Sequence, residues 1–332
     1  MLSAVLTIPH LGTFAPDDGL VSALATSDGR FVVGRDGVKA VGLTKDGKVE
    51  FVAFGWHSIA GVTSALGYPA YYPVLPVQPR SPLRAILMDL DGTSVRSESF
   101  WIWIIERTTA SLLGDPSFRL AQDDLPYVSG HSVSEHLEHC IRKYCPDRRV
   151  EQARALYFQH THREMEEILQ GRGRADAFVP APGLKEFLLG VKAMGLKIAL
   201  VTSGLYEKAY PEILAAFRTM GLGDPKAFYD AIITAGFPLR KGEVGTLGEL
   251  SPKPHPWLYA EAFRVGLGLP FEEREGVLGI EDSGAGVCAV RLAGLPTVGV
   301  AGGNVEESGM VPLCQHYVRS LEELLELVSV LR

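Results

Sequence analysis

Basic charge is scarce in this sequence: 32 Lys and Arg stand against 39 Asp and Glu, a net charge of -7. That balance argues against a general nucleic-acid surface, because a phosphate backbone selects for basic faces. It leaves room for a small anionic ligand, which needs only a few local cations. Long apolar runs are missing too, and none approaches the ~20 residues needed to cross a bilayer. Met1 to Leu6 is apolar, but no basic segment precedes it and Pro9, His10 and Asp17 follow soon, so no signal peptide is expected. Cysteine is sparse. Cys140, Cys145, Cys288 and Cys314 form no CxxC pair and read as free thiols. Internal repeats and low-complexity tracts do not occur. These absences point to a cytoplasmic protein without nucleic-acid or membrane partners.

Three textures follow one another along the 332 residues, which suffice for two or three domains with real cores. Residues 1–78 are rich in Gly and β-branched residues. Phe31-Val32-Val33, Val38 to Leu43 and Val49 to Phe54 predict short strands, with Asp36-Gly37 and Asp46-Gly47 as turns. A small antiparallel unit is expected there, followed by the Pro-studded stretch Tyr72 to Pro79. From Leu83 onward, short apolar runs of the kind found in buried parallel strands recur at Ala85–Met88, Ile198–Val201, Ala231–Ile233, Val277–Ile280 and Thr297–Val300. Leu184, Phe187, Leu188, Val191 and Met194 share one helical face, and Gly195 closes that helix. Alternating strands and helices predict an α/β fold, an open Rossmann-like parallel sheet with helices on both faces. The stretch 97–178 offers no buried strand and reads as helices over Phe100–Leu113, Ser132–Tyr144 and Val150–Leu169. An α-helical cap is therefore expected within a core formed by residues 83–96 and 179–332.

In open parallel sheets, ligands bind beyond the carboxyl ends of the strands. Polar clusters fall at those ends: Asp89 and Asp91 after the first strand, Thr202 and Ser203 after the second, and Glu281 and Asp282 after a later one. Lys253 lies in Ser251-Pro252-Lys253-Pro254-His255-Pro256, a loop opening a helix. Singly, each cluster is a turn, a helix cap or a solvated charge. Together, in order and each at a strand end, they converge on one crevice. Three carboxylates there suit Mg2+, a hard ion that binds alongside phosphate. A carboxylate can attack phosphorus to give an aspartyl-phosphate. A second carboxylate two residues on can protonate the leaving oxygen and then deprotonate water. Lys253, the Thr202 and Ser203 hydroxyls and backbone N–H groups can bind and neutralise the transferring oxygens.

These residues resemble the motifs of the haloacid dehalogenase superfamily, in the subgroup with a helical cap after the first motif. Asp89-Leu90-Asp91-Gly92-Thr93 is similar to the first motif and Val201-Thr202-Ser203-Gly204 to the second. Lys253-Pro254 is similar to the third, and Gly279 to Gly286, including Glu281-Asp282-Ser283, to the fourth. The resemblance runs from about residue 83 to the end. It implies that Asp89 is the nucleophile and a metal ligand, and that Asp91 is the general acid/base and lends the metal its backbone carbonyl. It also implies that Thr202 and Lys253 hold phosphoryl oxygens, that Lys253 restrains Asp89, and that Asp282 binds metal with Glu281 adjacent as ligand or support.

Among the reactions of that family, Asp91 disfavours dehalogenation and phosphonate cleavage, whose enzymes lack an acid/base Asp at that place. The expected activity is a magnesium-dependent phosphatase acting on a small phosphorylated metabolite, for instance a sugar phosphate. The alternative is a phosphosugar mutase of the β-phosphoglucomutase type. Such mutases carry an arginine where Val133 stands here and a histidine near the place of Phe100 and Trp101, so both departures favour hydrolysis. His131, in a Gly-containing cap loop, is either a substrate contact or an exposed histidine. His136, His139, His160 and His162 read as solvated helix faces rather than a zinc site. Pro238 to Gly245 adds two cations to a loop on the active-site side. Residues 1–78 carry no motif chemistry. Their expected role is a contact with a partner or a second copy, or a β-rich pad on the core; a non-catalytic interaction protein built on this unit is the least favoured reading.

Overall fold

The structure, a computed structural model, describes residues 5–15, 18–63, 69–124, 133–174, 176–236, 239–240, 243–244 and 250–332. His131 and half of the 238–245 loop (238, 241, 242 and 245) lie outside those residues, and of Val133 only the backbone is described. Two compact units emerge. One contains residues up to Ser94, Pro182–Tyr206 and Lys226–Arg332; the other contains Val95–Ala181 and Glu207–Pro225.

The first unit begins with a hairpin, β1 (Leu6–Ile8) and β2 (Gly12–Phe14). A five-stranded antiparallel meander follows: β3 (Leu20–Ala23), β4 (Ala40–Thr44), β5 (Val49–Ala53), β6 (Ser58–Thr63) and β7 (Pro69–Pro73), paired in sequence order. Asp46-Gly47 forms the turn between β4 and β5, with Gly47 at φ 68°. Phe31-Val32-Val33 departs from the strand expected of it. Only Val32 bridges, to Ala25, and the chain then curls through Gly34, Asp36 and Gly37, all at positive φ. The curl lays Phe31 and Val33 over Val38, Val41 and Val52, so the run covers one sheet face instead of joining it. The opposite face, Val49, Phe51, Ala60 and Val62, shares a core with Val287, Cys288 and Leu292 of the α/β sheet's flanking helix.

The α/β part opens with β8 (Ala85–Asp89), every residue of which is buried. The cap unit follows. It contains a two-residue ladder between β9 (Val95–Arg96) and β10 (Val179–Pro180), with α1 (Glu98–Leu113), α2 (Val133–Tyr144) and α3 (Val150–Leu169) between them. After it come α4 (Leu184–Ala193), β11 (Lys197–Leu205), α5 (Tyr206–Met220), α6 (Pro225–Phe228), β12 (Ala231–Ala235), and a short ladder of β13 (Leu239–Arg240) and β14 (Glu243–Val244). The chain closes with α7 (Trp257–Glu261), β15 (Val277–Glu281), α8 (Gly284–Leu292), β16 (Thr297–Val300), β17 (His316–Val318) and α9 (Leu321–Leu331).

Six of these strands form one parallel sheet in the order β12-β11-β8-β15-β16-β17. The nearly continuous Val, Ile, Leu and Ala runs fit strands covered on both faces. β8 sits in the middle, so Asp89 at its carboxyl end is flanked by the ends of β11 and β15. The Rossmann-like sheet, the inserted helices and the separate antiparallel sheet agree with the sequence-based expectation. The edge strand β17 escaped it, because His316-Tyr317-Val318 is too short and polar to stand out.

In the cap, two of the four histidines depart from the solvated positions expected of them. His136 is buried, and His139 donates through Nε2 to Asp124 at 2.8 Å. Asp124 is fully buried and also receives Lys143 Nζ at 2.6 Å, the Tyr144 hydroxyl and the Ala121 N–H at 2.9 Å. Burial alone would raise the Asp124 carboxyl, but the bonds from Lys143, Tyr144 and His139 outweigh it and hold the group well below the usual carboxylate range. His139 is therefore a structural partner within a buried polar knot, a role that charged sequence neighbours gave no hint of.

Candidate active site

The residues picked out at strand ends meet in the first unit. Asp89 is the last residue of β8 and is buried. Its carboxylate receives Lys253 Nζ through Oδ1 and lies 3.4 Å from the Thr93 hydroxyl through Oδ2. Ser94 Oγ donates to the Asp89 carbonyl and ties the loop back to the strand it leaves. Lys253 Nζ is also 2.6 Å from Glu281 Oε1 and 3.4 Å from the Val201 carbonyl. One ammonium thus bridges the ends of β8, β11 and β15.

Asp282 follows β15 and is fixed by the Thr93 hydroxyl at 3.0 Å. Asp89, Glu281 and Asp282 each present a carboxylate oxygen within 4.8 Å of the others, the one cluster of metal-ligating type among the described residues. Gly92 makes that approach possible. Its φ of 82° suits glycine, and a Cβ there would lie 2.0 Å from Asp282 Oδ2. Gly286 does the same for Glu281, since a Cβ would meet its carboxylate at 1.9 Å. Ser283 caps α8 by accepting the Gly286 N–H at 3.1 Å while donating to Glu281 Oε2 at 3.1 Å.

Crowding of acids shows in their proton affinities. Burial, then repulsion from Glu281, raises the Asp89 carboxyl far above its ordinary range, and Lys253 pulls it back only in part. Burial and Glu281 push Asp282 up to about 7. Burial would lower Lys253, but Asp89 and Glu281 overcome that and raise it. Lys253 is therefore a permanent cation, yet one ammonium among three buried carboxylates leaves a negative surplus. An oxygen-only donor set with surplus negative charge suits a hard divalent cation, so the residues present fit Mg2+.

Asp91 differs from Asp89 in being exposed, and its carboxylate is outside the acidic cluster. Thr202 is buried, accepts the Gly204 N–H at 2.9 Å and donates to Asp91 Oδ2 at 3.5 Å. The pairing of β11 with β12 skips between Thr202 and Leu205, so Ser203 and Gly204 bulge out of the ladder. Ser203 Oγ accepts the Lys253 N–H at 3.1 Å and so anchors the lysine loop. Sequence reasoning missed Tyr259. This fully buried residue of α7 donates its phenol to Glu281 Oε1, and its ring lies 5.4 Å from Lys253 Nζ. The available signal was a tyrosine in the apolar start of the helix that the lysine loop opens.

Comparison with known proteins bears on the family and the fold. The model of the haloacid dehalogenase-like hydrolase family matches residues 83–294. Among solved structures, CbbY from Rhodobacter sphaeroides, in complex with phosphate, is 22% identical, with 73% of this chain and 96% of that chain covered and a TM-score of 0.51. A predicted phosphoglycolate phosphatase from Haemophilus somnus is similar at 18% identity, 74% and 97% coverage and a TM-score of 0.54. A HAD hydrolase of family IA, variant 3, from Entamoeba histolytica is similar at 17% identity, 74% and 100% coverage and a TM-score of 0.52. At these identities the likeness is one of fold, and the family match carries the assignment. The chain belongs to the haloacid dehalogenase-like hydrolases.

Proposed function

We propose that the chain hydrolyses a small phosphomonoester, for instance a sugar phosphate, through an aspartyl-phosphate on Asp89. The observation that carries this reading is the Lys253 ammonium bonded to Asp89 Oδ1 and Glu281 Oε1 at the carboxyl edge of the sheet, with Asp91 exposed two residues beyond. Asp89 attacks phosphorus as the bond from phosphorus to the ester oxygen breaks, and Asp91 donates its proton to that oxygen. Asp91, now a carboxylate, takes a proton from water as the water oxygen attacks phosphorus. The bond to Asp89 breaks, phosphate leaves and both acids return to their starting states. Lys253 and the Thr202 hydroxyl hold phosphoryl oxygens, with Ser203 anchoring the loop that presents Lys253. Mg2+, held by Asp89, Asp282 and the Asp91 carbonyl with Glu281 beside them, would supply charge neutralisation at the phosphoryl group.

Water rather than a second sugar hydroxyl is the final acceptor in this reading. In the cap, Phe100 is buried with its ring 4.5 Å from Phe178, and Trp101 lies under the Lys208 ammonium at 3.8 Å. That segment offers apolar surface where the mutases carry a histidine. Magnesium-dependent release of p-nitrophenol from its phosphate ester tests the chemistry. Asp89→Asn should reduce turnover to background in a protein that still folds, and wild-type turnover in that variant sinks the mechanism. A hexose 1-phosphate separates the two outcomes: phosphate release supports hydrolysis, and isomer formation without release supports a mutase.

A further inference from the structure

The family match begins at residue 83, so the amino-terminal sheet lies outside it. The sheet nevertheless touches the backs of two active-site segments. Its inner face shares a core with Val287, Cys288 and Leu292 of α8, the helix that starts just after Asp282, and with Val305, Met310 and Leu313 of a later loop. Arg291 of α8 donates Nη2 to the His10 carbonyl at 2.8 Å, and the Gly19 N–H reaches the Gly309 carbonyl at 3.0 Å. A Cβ at Gly19 would stand 2.3 Å from that carbonyl oxygen, so the two backbones meet with no room for a side chain.

The second connection is more specific. Tyr72, on edge strand β7, places its hydroxyl 2.8 Å from His255 Nδ1. The rings of His255 and Trp257 both meet Tyr72 edge-on with centroids 6.0 Å away. In either imidazole tautomer the phenol and Nδ1 share one hydrogen bond, the phenol accepting from a protonated Nδ1 or donating to a bare one. His255 is buried and stands two residues after Lys253.

The loop that carries these residues has little means of holding itself. Pro252, Pro254 and Pro256 alternate with Lys253 and His255 and supply no backbone N–H. The two N–H groups that remain go to Ser203 Oγ at 3.1 Å and to the Pro252 carbonyl at 3.2 Å. Side-chain attachments must therefore set where Lys253 sits, and the His255 imidazole gripped by Tyr72 is one of them.

We infer that Tyr72 is a positioning residue for the active site: the amino-terminal sheet acts as a brace that fixes the lysine loop through the Tyr72–His255 hydrogen bond. The inference rests on the reading of Lys253 as the partner of Asp89 in phosphoryl transfer. Under it, residues outside the family's span are needed to hold the lysine in register, and the sheet serves catalysis through an internal contact.

Tyr72→Phe keeps the ring against Trp257 and removes only the hydroxyl. Because a misplacement of ~1 Å can cost ~10²-fold in rate, a partial loosening is expected to lower kcat about tenfold, with KM and the melting temperature almost unchanged. His255→Ala should cause a comparable loss, and Tyr72→Phe added to it should cost nothing more, since both remove one contact. Wild-type kcat in Tyr72→Phe, losses that multiply in the double variant, or a loss that follows a falling melting temperature overturns the inference. The 15N signals of the imidazoles, with His255 assigned by its absence in His255→Ala, report the contact without reference to any reaction. A His255 Nδ1 signal that shifts on Tyr72→Phe supports the brace, and one that does not move overturns it. Absence of phosphatase activity in the wild type would instead count against the reading of the reaction, leaving the NMR arm to decide on the contact.

Discussion

Replacing Asp282 with asparagine is expected to stabilise the metal-free protein at neutral pH and to abolish its response to magnesium. Asp282 is 6% exposed, and burial followed by the repulsion of Glu281 pushes its carboxyl from an ordinary 3.8 up to about 7, against the pull of Thr93 and Lys253. A carboxyl raised on folding holds its proton more tightly folded than unfolded. Its stabilising contribution is therefore complete below the unfolded value near 4 and is lost as pH rises through about 7. That difference converts to ~4 kcal/mol as an upper figure, and Asp89, raised for the same reasons, acts in the same direction. Asparagine is close in shape and neutral at every pH. Wild type and Asp282→Asn should thus unfold alike at pH 4, where Asp282 is protonated. In EDTA at pH 8 the variant should be more stable by roughly 2–4 kcal/mol. Saturating magnesium should close most of that gap, because wild type gains ~2.7 kcal/mol at a hundredfold excess over Kd and the variant gains little. Denaturant unfolding at pH 4, 6 and 8, with EDTA or with magnesium, measures all of this. A variant less stable than wild type in EDTA at pH 8 would refute the reasoning, since the Asp282 charge would then be no burden on the metal-free fold.

Two further changes probe the neighbours of that carboxylate. Gly92→Ala adds a methyl group where a Cβ meets Asp282 Oδ2 at 2.0 Å, at a φ of 82° that costs an alanine ~1–2 kcal/mol. A lower melting temperature and a magnesium requirement raised at least tenfold are expected, and an unchanged magnesium titration contradicts the role given to Gly92. Tyr259→Phe removes the phenol that donates to Glu281, leaving that buried carboxylate with Lys253 at 2.6 Å and Ser283 at 3.1 Å. The expected losses are ~1–3 kcal/mol in denaturant unfolding and about tenfold in apparent magnesium affinity; stability equal to wild type would show that the phenol is dispensable.

The sheet and its polar strand ends were legible because both depend on local pattern. A strand covered on both faces must be a short apolar run, and the first polar residue past it marks the carboxyl edge, which is why Asp89, Thr202 and Glu281 could be placed by reading. What escaped depends on pairs far apart in the chain. Tyr72 and His255 are 183 residues apart, and no periodicity in either segment announces the other. His139 looked solvated from its charged neighbours, yet its partner Asp124 comes from before α2 and takes it out of water. Phe31-Val32-Val33 has the composition of a strand but is followed by Gly34, Asp36 and Gly37 at positive φ, so turn chemistry overrode propensity. Ser203 sits in a bulge where its oxygen receives the Lys253 N–H, and only the register of β11 against β12 reveals this.

The same geometry explains why a site so rich in acid can exist inside a folded domain. Three buried carboxylates around one lysine repel one another, and each would be less costly in water. They are held together by groups that cannot move away: a glycine whose missing Cβ admits Asp282, a second that admits Glu281, and hydroxyls of Thr93, Ser283 and Tyr259 that spend their protons on these oxygens. Behind them α8 is pinned by a core shared with the amino-terminal sheet. The repulsion is thus opposed by covalent geometry and packing rather than relieved, and relief comes when a divalent cation binds. Such a site gains affinity for cation and phosphoryl group from the destabilisation it carries without them, so substitutions that stabilise the empty protein should be those that weaken its chemistry.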